Sequence, residues 1–161
     1  MSGFRRGVRI GVDVGTARVG VARCDPDGLL ATPVETVRRG EIGDGASLDR
    51  IVVLAREHDA IEILVGLPLS LSGSDTASTT DARTFAAAVA TASGLPVRLV
   101  DERLSTVSAH AALRGSGRSQ RQSRNIVDQV AAVVLLQQAI DVEKNSGRPP
   151  GTPVPPAQEP A

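Results

Sequence analysis

The 161-residue sequence contains no tryptophan, no tyrosine and only two phenylalanines, Phe4 and Phe85. Proteins that read single-stranded nucleic acids base by base stack the bases on aromatic side chains, so we do not expect this chain to bind single strands in that way. The single cysteine, Cys24, excludes an internal disulfide framework and a cysteine-rich zinc site. This sparing use of cysteine fits a reducing compartment, and we expect a cytoplasmic protein.

Long hydrophobic runs are also missing. No stretch approaches the roughly 20 apolar residues of a membrane span, and the residues before the first predicted strand lack the apolar core of a secretory signal. We therefore expect no membrane partner. The length fits one domain, which we place at residues 1–144 with a loose basic lead at 1–7. Six of the ten prolines follow Lys144, which predicts a disordered proline-rich tail over 145–161.

The net charge is zero, with 18 basic and 18 acidic residues, but the basic residues are unevenly distributed. Residues 103–124 contain five arginines and no acid, and a local basic stretch suits phosphate binding even in a neutral protein. Within this stretch we predict a mobile basic loop over residues 114–124 that binds nucleic acid. The alternative is a solvated linker. The five arginines are Arg103, Arg114, Arg118, Arg121 and Arg124.

Hydrophobic periodicity predicts an α/β domain. Alternating apolar residues at the start of the chain predict three antiparallel strands, and later apolar runs separated by helical periods predict two parallel strands. The expected architecture is a mixed five-stranded sheet, three antiparallel strands followed by a βαβ unit, with helices on both faces. The predicted strands cover 8–14, 18–24, 29–37, 61–65 and 97–100, and the predicted helices cover 48–58 (with Ser47 as N-cap), 80–93, about 105–114 and 125–143.

Asp13 is an unusual residue for the middle of a strand. It shares one face of the first strand with Gly11 and Gly15, while valines and an isoleucine occupy the other face. Aspartate is disfavoured in strands, and the glycines allow a ligand or another backbone to come close. Asp13 is therefore a candidate functional carboxylate. The alternative is an aspartate near a strand end that hydrogen-bonds to the turn.

Further carboxylates follow the fifth strand, at Asp101 and Glu102, and lie near the start of the last predicted helix, at Asp128. Ligands of open α/β sheets gather at the carboxyl ends of the strands. Clustered carboxylates require a compensating cation, and Mg²⁺ or Mn²⁺ is the natural partner of oxygen ligands. With arginines nearby, this pattern predicts phosphoryl transfer. For Asp128 alone, the alternative is an acid that complements the helix dipole.

Four short motifs occur in order along the chain: Gly11–Ala22, Val65–Pro68, Asp101–Thr106 and Val127–Ala132. Each motif alone is weak, but their order and spacing are specific. Together they resemble the YqgF/RuvX family of bacterial proteins, which are named as Holliday-junction-resolvase-like proteins and as candidate nucleases of pre-16S rRNA. The resemblance covers about residues 8–140.

The resemblance implies an RNase H-like fold and a nuclease site in which Asp13, Glu102 and Asp128 hold Mg²⁺ or Mn²⁺. Strand four ends in Gly66-Leu67-Pro68, without the glutamate of RuvC-type resolvases, so the acid of strand five must substitute. The nucleic-acid-binding candidates are Arg18 and Arg103, which fall within the same motifs, and Arg118, Arg121 and Arg124 of the basic stretch.

Several functions remain open at this point. The resemblance implies a nuclease for structured RNA, in 5′-end processing of pre-16S rRNA. The same site could cut branched DNA as a Holliday-junction resolvase, which usually acts as a symmetric dimer; the sequence leaves monomer and homodimer open. A third hypothesis is an ATP-binding module, because a strand followed by Asp-Val-Gly-Thr is also typical of sugar kinases and actin-like ATPases. A fourth is a non-catalytic RNA-binding protein.

Overall fold

The computed structural model describes residues 4–40, 43–70, 72–101 and 120–155, with the backbone alone for 120–127. The predicted helix at 105–114 lies outside these residues. The strands are β1 (Val8–Val14), β2 (Arg18–Cys24), β3 (Ala31–Arg38), β4 (Ala60–Leu67), β5 (Val97–Asp101) and β6 (Thr152–Pro153), and the helices are α1 (Gly45–Glu57), α2 (Ala77–Ser93) and α3 (Gln120–Ser146).

The strands form one mixed sheet in the order β3-β2-β1-β4-β5-β6. β1, β2 and β3 are an antiparallel meander, and β4 lies parallel to both β1 and β5. This arrangement confirms the predicted meander followed by a βαβ unit. It also brings the carboxyl ends of β1, β4 and β5 to one edge of the sheet.

Helices cover both faces of the sheet, as predicted. One face carries the larger core, in which Ile10, Val12 and Val65 pack with Ile51 of α1 and Phe85 of α2. Alternation of side chains along each strand sends the intervening residues to the opposite face, where α3 packs. The core of that second face includes Ala22, Leu64, Ala132, Leu136 and Ile140.

The start of α1 differs from the prediction. The N-cap is Asp44 rather than Ser47. Ser47 is buried and its hydroxyl donates a hydrogen bond to the Asp44 carbonyl at 2.9 Å. Aspartate and serine are both favoured N-cap residues, so the sequence left Asp44 and Ser47 as equivalent starts of the helix. At the end of α2, Gly94 adopts the left-handed conformation with φ 69°, which ends the helix.

The prediction of five strands was wrong by one. β6 pairs antiparallel with β5, and the Val154 N–H donates to the Val97 carbonyl at 2.8 Å. The Arg98 side chain adds hydrogen bonds to the carbonyls of Pro150 and Gly151. A strand of two residues is too short to produce a periodic pattern, so composition alone predicted disorder here. Residues 156–161 of the predicted tail lie outside the described residues.

Residues 4–7, the described part of the N-terminal segment that was predicted to be loose, are bonded to the rest of the fold. The backbone N–H of Arg5 donates to Glu143 of α3 at 2.9 Å, and the Arg5 side chain bridges Glu143 at 2.6 Å and Glu62 of β4 at 2.9 Å. Arg9 of β1 completes this ionic cluster through a 2.8 Å contact with Glu143. The cluster joins the C-terminal part of α3 to the sheet.

Within the part of the chain that the structure describes, no helix is long and apolar enough to cross a membrane.

Candidate functional site

The candidate site lies where β1 ends. Asp13 is half-buried near the end of β1, and its register partner on β2 is Gly20. Paired residues of antiparallel strands place their side chains on the same face, so the position of the missing Gly20 side chain is beside Asp13. Gly11, two positions before Asp13, lies on the same face of the sheet. It packs directly under α3, because an added Cβ on Gly11 would be 2.9 Å from the Leu136 Cβ.

Asp128 meets the sheet at Gly20. A methyl group on Gly20 would overlap the Asp128 backbone carbonyl, so only glycine permits this contact between β2 and α3. The two predicted carboxylates Asp13 and Asp128 therefore belong to neighbouring positions on facing elements. α3 begins at Gln120, which leaves Asp128 well inside the helix. The alternative role for Asp128, complementing the dipole in a first helical turn, was wrong.

Arg18 binds Asp128 directly. Its Nε donates to Asp128 Oδ2 at 3.0 Å, and the Asp128 side chain is only 16% exposed. Burial raises the pKa of Asp128 above its ordinary value, and the hydrogen bond and charge of Arg18 offset this only in part. The fold thus retains a carboxylate whose ionised form it disfavours. Such a departure from local stability is typical of functional positions.

The turn between β1 and β2 is held from outside by Arg39. The Arg39 N–H donates to the Ala17 carbonyl, and its guanidinium donates to the Gly15 carbonyl at 2.9 Å. The same guanidinium contacts Asp44 before α1 and Asp81 of α2, at 2.9 and 2.6 Å. The turn that presents Arg18 is therefore tied to both helices of the opposite face.

The third predicted carboxylate, Glu102, lies outside the described residues. It follows Asp101, which ends β5 and pairs in register with Leu67. Val100, two positions before Glu102, packs against the core under α3, the face that also carries Asp13. Among the described residues, no three His, Cys, Asp or Glu side chains come together as a metal site.

Of the predicted arginines, only Arg18 has a described side chain. Arg103 and Arg118 lie outside the described residues, while Arg121 and Arg124 lie in the N-terminal part of α3, where only the backbone is described. A further arginine, Arg38, which the sequence did not single out, is the register partner of Arg18 across β2 and β3. Counting residues outward from the turn between β2 and β3 could have suggested this pairing. The register shift between Val21 and Ala22 makes such a count wrong by one residue.

Gly20→Ala tests the close approach of α3. We expect the added methyl group to push Asp128 away from the sheet, which should lower the free energy of unfolding by about 1–3 kcal/mol and reduce any cleavage activity. Thermal melting and a cleavage assay measure both effects. Gly45→Ala is the matched control, because nothing lies within 4 Å of an added Cβ there. Equal behaviour of the two variants would show that the approach is not tight.

The fold is similar to that of Thermus thermophilus RuvC. A structure of that protein in complex with a Holliday junction substrate matches with a TM-score of 0.54 and 16% identity, covering 89% of this chain and 99% of that chain. A second RuvC structure matches with a TM-score of 0.51 and 16% identity, covering 88% and 99% of the two chains. This likeness shows an RNase H-like fold, as the family resemblance implied.

The chain belongs to the RuvX family, described as "Holliday junction resolvase", whose pattern matches residues 7–142. Relatives named "Putative pre-16S rRNA nuclease" occur in Clavibacter michiganensis, with 58% identity over 94% of both chains, and in Leifsonia xyli, with 56% identity over 95% of this chain and 97% of the relative. The family resemblance and the prediction of a nuclease, a hydrolase that acts on ester bonds, are confirmed.

Proposed function

We propose that the chain is a Mg²⁺- or Mn²⁺-dependent nuclease that hydrolyses phosphodiester bonds of structured RNA, in the 5′-end processing of pre-16S rRNA. The observation that supports this most is the contact of α3 with Gly20, which puts Asp128 beside the position of Asp13 at the carboxyl end of β1. The names of the relatives support RNA as the substrate.

The chemistry of the donor set fits a hard divalent cation. Asp13 and Asp128 supply carboxylate oxygens, which Mg²⁺ and Mn²⁺ prefer, and the cost of burying Asp128 would be offset by a bound cation. We propose Glu102 as the third ligand, on the family resemblance and on its place directly after β5. When bound, the metal would activate a water molecule and stabilise the leaving oxygen.

The arginines would bind the phosphates of the substrate. Arg18 is the one for which the structure gives a contact, because it reaches Asp128 and would bring a positive charge beside a phosphate held at the carboxylates. Arginine suits this task because its planar guanidinium can donate two hydrogen bonds to one phosphate. Arg103, Arg118, Arg121 and Arg124 stay proposed phosphate contacts.

Branched DNA is the alternative substrate, favoured by the description of the family and by the likeness to RuvC. Such a resolvase would act as a symmetric dimer, since its two nicks are related by a dyad, so a monomer in solution would argue against it. Membership of the RuvX family favours a nuclease over the hypothesis that the chain is an ATP-binding module. A cytoplasmic location remains part of the proposal.

Side-by-side digestion tests the proposed function. A precursor 16S rRNA fragment and a four-way DNA junction are incubated with the protein and Mg²⁺ or Mn²⁺, and the products are resolved on denaturing gels. We expect cleavage of the RNA that stops when EDTA removes the metal. Cleavage of the junction alone would favour the resolvase, and cleavage of the RNA in EDTA would contradict the metal-dependent site.

A further inference from the structure

Arg38 carries a charge that the fold does not use. It is exposed at the end of β3, and it makes no hydrogen bond or ion pair with any residue that the structure describes. Its register partner is another arginine, Arg18. Like charges directly opposite each other destabilise a sheet, so the pair of arginines has no explanation in the stability of the protein alone.

The position of Arg38 relates it to the candidate site. Register partners share a face of the sheet, and the Arg18 side chain reaches Asp128, so Arg38 also belongs to the α3 face. Thr36, two positions before Arg38, lies on this face too, because its hydroxyl accepts a hydrogen bond from Gln129 of α3 at 2.9 Å. The contacts of Arg18 and Thr36 with α3 therefore place Arg38 on the face of the sheet that α3 covers.

We propose that Arg38 binds a phosphate of the RNA backbone outside the bond that is cleaved, and so extends the substrate path from the carboxylates across β2 to the β3 edge. This inference rests on the proposed function, which supplies RNA as the ligand. Arg18 donates its Nε–H to Asp128, whereas the Arg38 guanidinium has no hydrogen-bond partner among the described residues and can donate to a phosphate. The neighbouring positive charges, unfavourable in the free protein, become favourable when a polyanion lies across them.

Arg23 offers a matched control. It lies on β2 like Arg18, is exposed like Arg38, and likewise has no ion pair within the described part of the chain. It is near the opposite end of that strand, where β2 pairs with Ile10 and Thr32. Arg23→Ala and Arg38→Ala change the net charge equally, so only a local phosphate contact distinguishes them.

The experiment measures RNA binding as a function of salt. Fluorescence anisotropy with a labelled precursor 16S rRNA fragment is recorded in EDTA between 50 and 200 mM salt, so that binding is observed without metal-dependent cleavage. Removing one phosphate contact should lower the slope of log affinity against log salt by about 0.7–1. Over this range the wild type should thus lose roughly threefold more affinity than Arg38→Ala. Arg23→Ala should match the wild type, and Arg38→Lys should keep the slope.

The outcomes separate the two proposals. If Arg38→Ala and Arg23→Ala have the same slope, the inference about Arg38 is overturned, even where the wild type cleaves RNA. If the slope falls only for Arg38→Ala, the phosphate contact is supported, whether or not Mg²⁺ later permits cleavage. A slope change seen with a four-way DNA junction but not with the RNA would overturn RNA as the ligand of Arg38.

Discussion

Asp13→Asn and Asp128→Asn are each expected to lower the rate of metal-dependent cleavage by at least about a hundredfold. Asparagine keeps the size of the side chain but removes the negative charge that would hold a divalent cation. The two residues belong to different elements, β1 and α3, which meet through Gly20. Loss of either charge should therefore disable the same site. The rate is measured on the precursor 16S rRNA fragment with saturating Mg²⁺ or Mn²⁺.

Thermal melting distinguishes a disabled site from a damaged fold. Since burial raises the pKa of Asp128, the folded state binds its proton more tightly than the unfolded state. The stabilisation linked to that proton is present below the unfolded pKa and is lost as the pH rises through the folded pKa. At neutral pH, metal-free Asp128→Asn should thus melt at or above the wild-type temperature. Asp141→Asn, an exposed change on the same helix, is the control and should retain activity.

Metal binding gives a readout that does not depend on cleavage. A ligand that binds only the folded state raises the melting temperature with its concentration. Mg²⁺ or Mn²⁺ should therefore raise the melting temperature of the wild type and of Asp141→Asn. The rise should be much smaller for Asp13→Asn and Asp128→Asn. Full activity in both of the latter variants would contradict the assignment of the site.

Local sequence patterns were sufficient to predict most of the fold. The alternation in β1 and β2 and the continuous apolar residues of β4 follow from the burial of one or both strand faces, so the meander and the βαβ unit could be predicted. β6 could not, because its two residues owe their position to hydrogen bonds with β5. The fastened segment before β1 depends on Glu143, a contact across 138 positions of the chain, for which no local pattern exists.

The candidate site was predictable where a residue broke a local rule. Asp13 is an acid inside a strand beside glycines, and the family resemblance connected it with Asp128. Arg38 broke no rule within its own strand, and its relation to Arg18 emerges only from the pairing of β2 with β3. A relation that depends on the pairing of distant strands is therefore not visible in local sequence patterns, even for a residue on the same face as Asp13.

The largest loss of stability is expected from breaking the ionic cluster at the C-terminal end of α3. Glu143 accepts from Arg9 at 2.8 Å, and both side chains are only 2% exposed; it also accepts from the backbone and side chain of Arg5. Phe4 closes the cluster, with the Arg9 guanidinium 4.5 Å from the centre of its ring. Glu143→Gln would leave the buried Arg9 guanidinium without the carboxylate that it contacts directly. Breaking a buried pair in this way costs about 3–5 kcal/mol.

We therefore expect Glu143→Gln to melt roughly 6–20 °C below the wild type at neutral pH, since 1 kcal/mol corresponds to about 2–4 °C in a protein of this size. Glu35→Gln, which breaks the partly exposed pair with Arg50, is the control and should change the melting temperature far less. If the melting temperature of Glu143→Gln fell no further than that of Glu35→Gln, the cluster would not stabilise the packing of α3 on the sheet.

The pH dependence of the same comparison tests the cause. Burial acts to raise the pKa of Glu143, but the hydrogen bonds from Arg5 and the charge of Arg9 outweigh it, so the pKa lies below its ordinary value of 4.5. A carboxylate with a lowered pKa stabilises the fold above its unfolded pKa, and this contribution is lost as the pH falls through the folded pKa. The difference in melting temperature between the wild type and Glu143→Gln should thus be constant near neutrality and shrink below pH 4.5. A difference that stays constant into the acid range would assign the loss to packing rather than to charge.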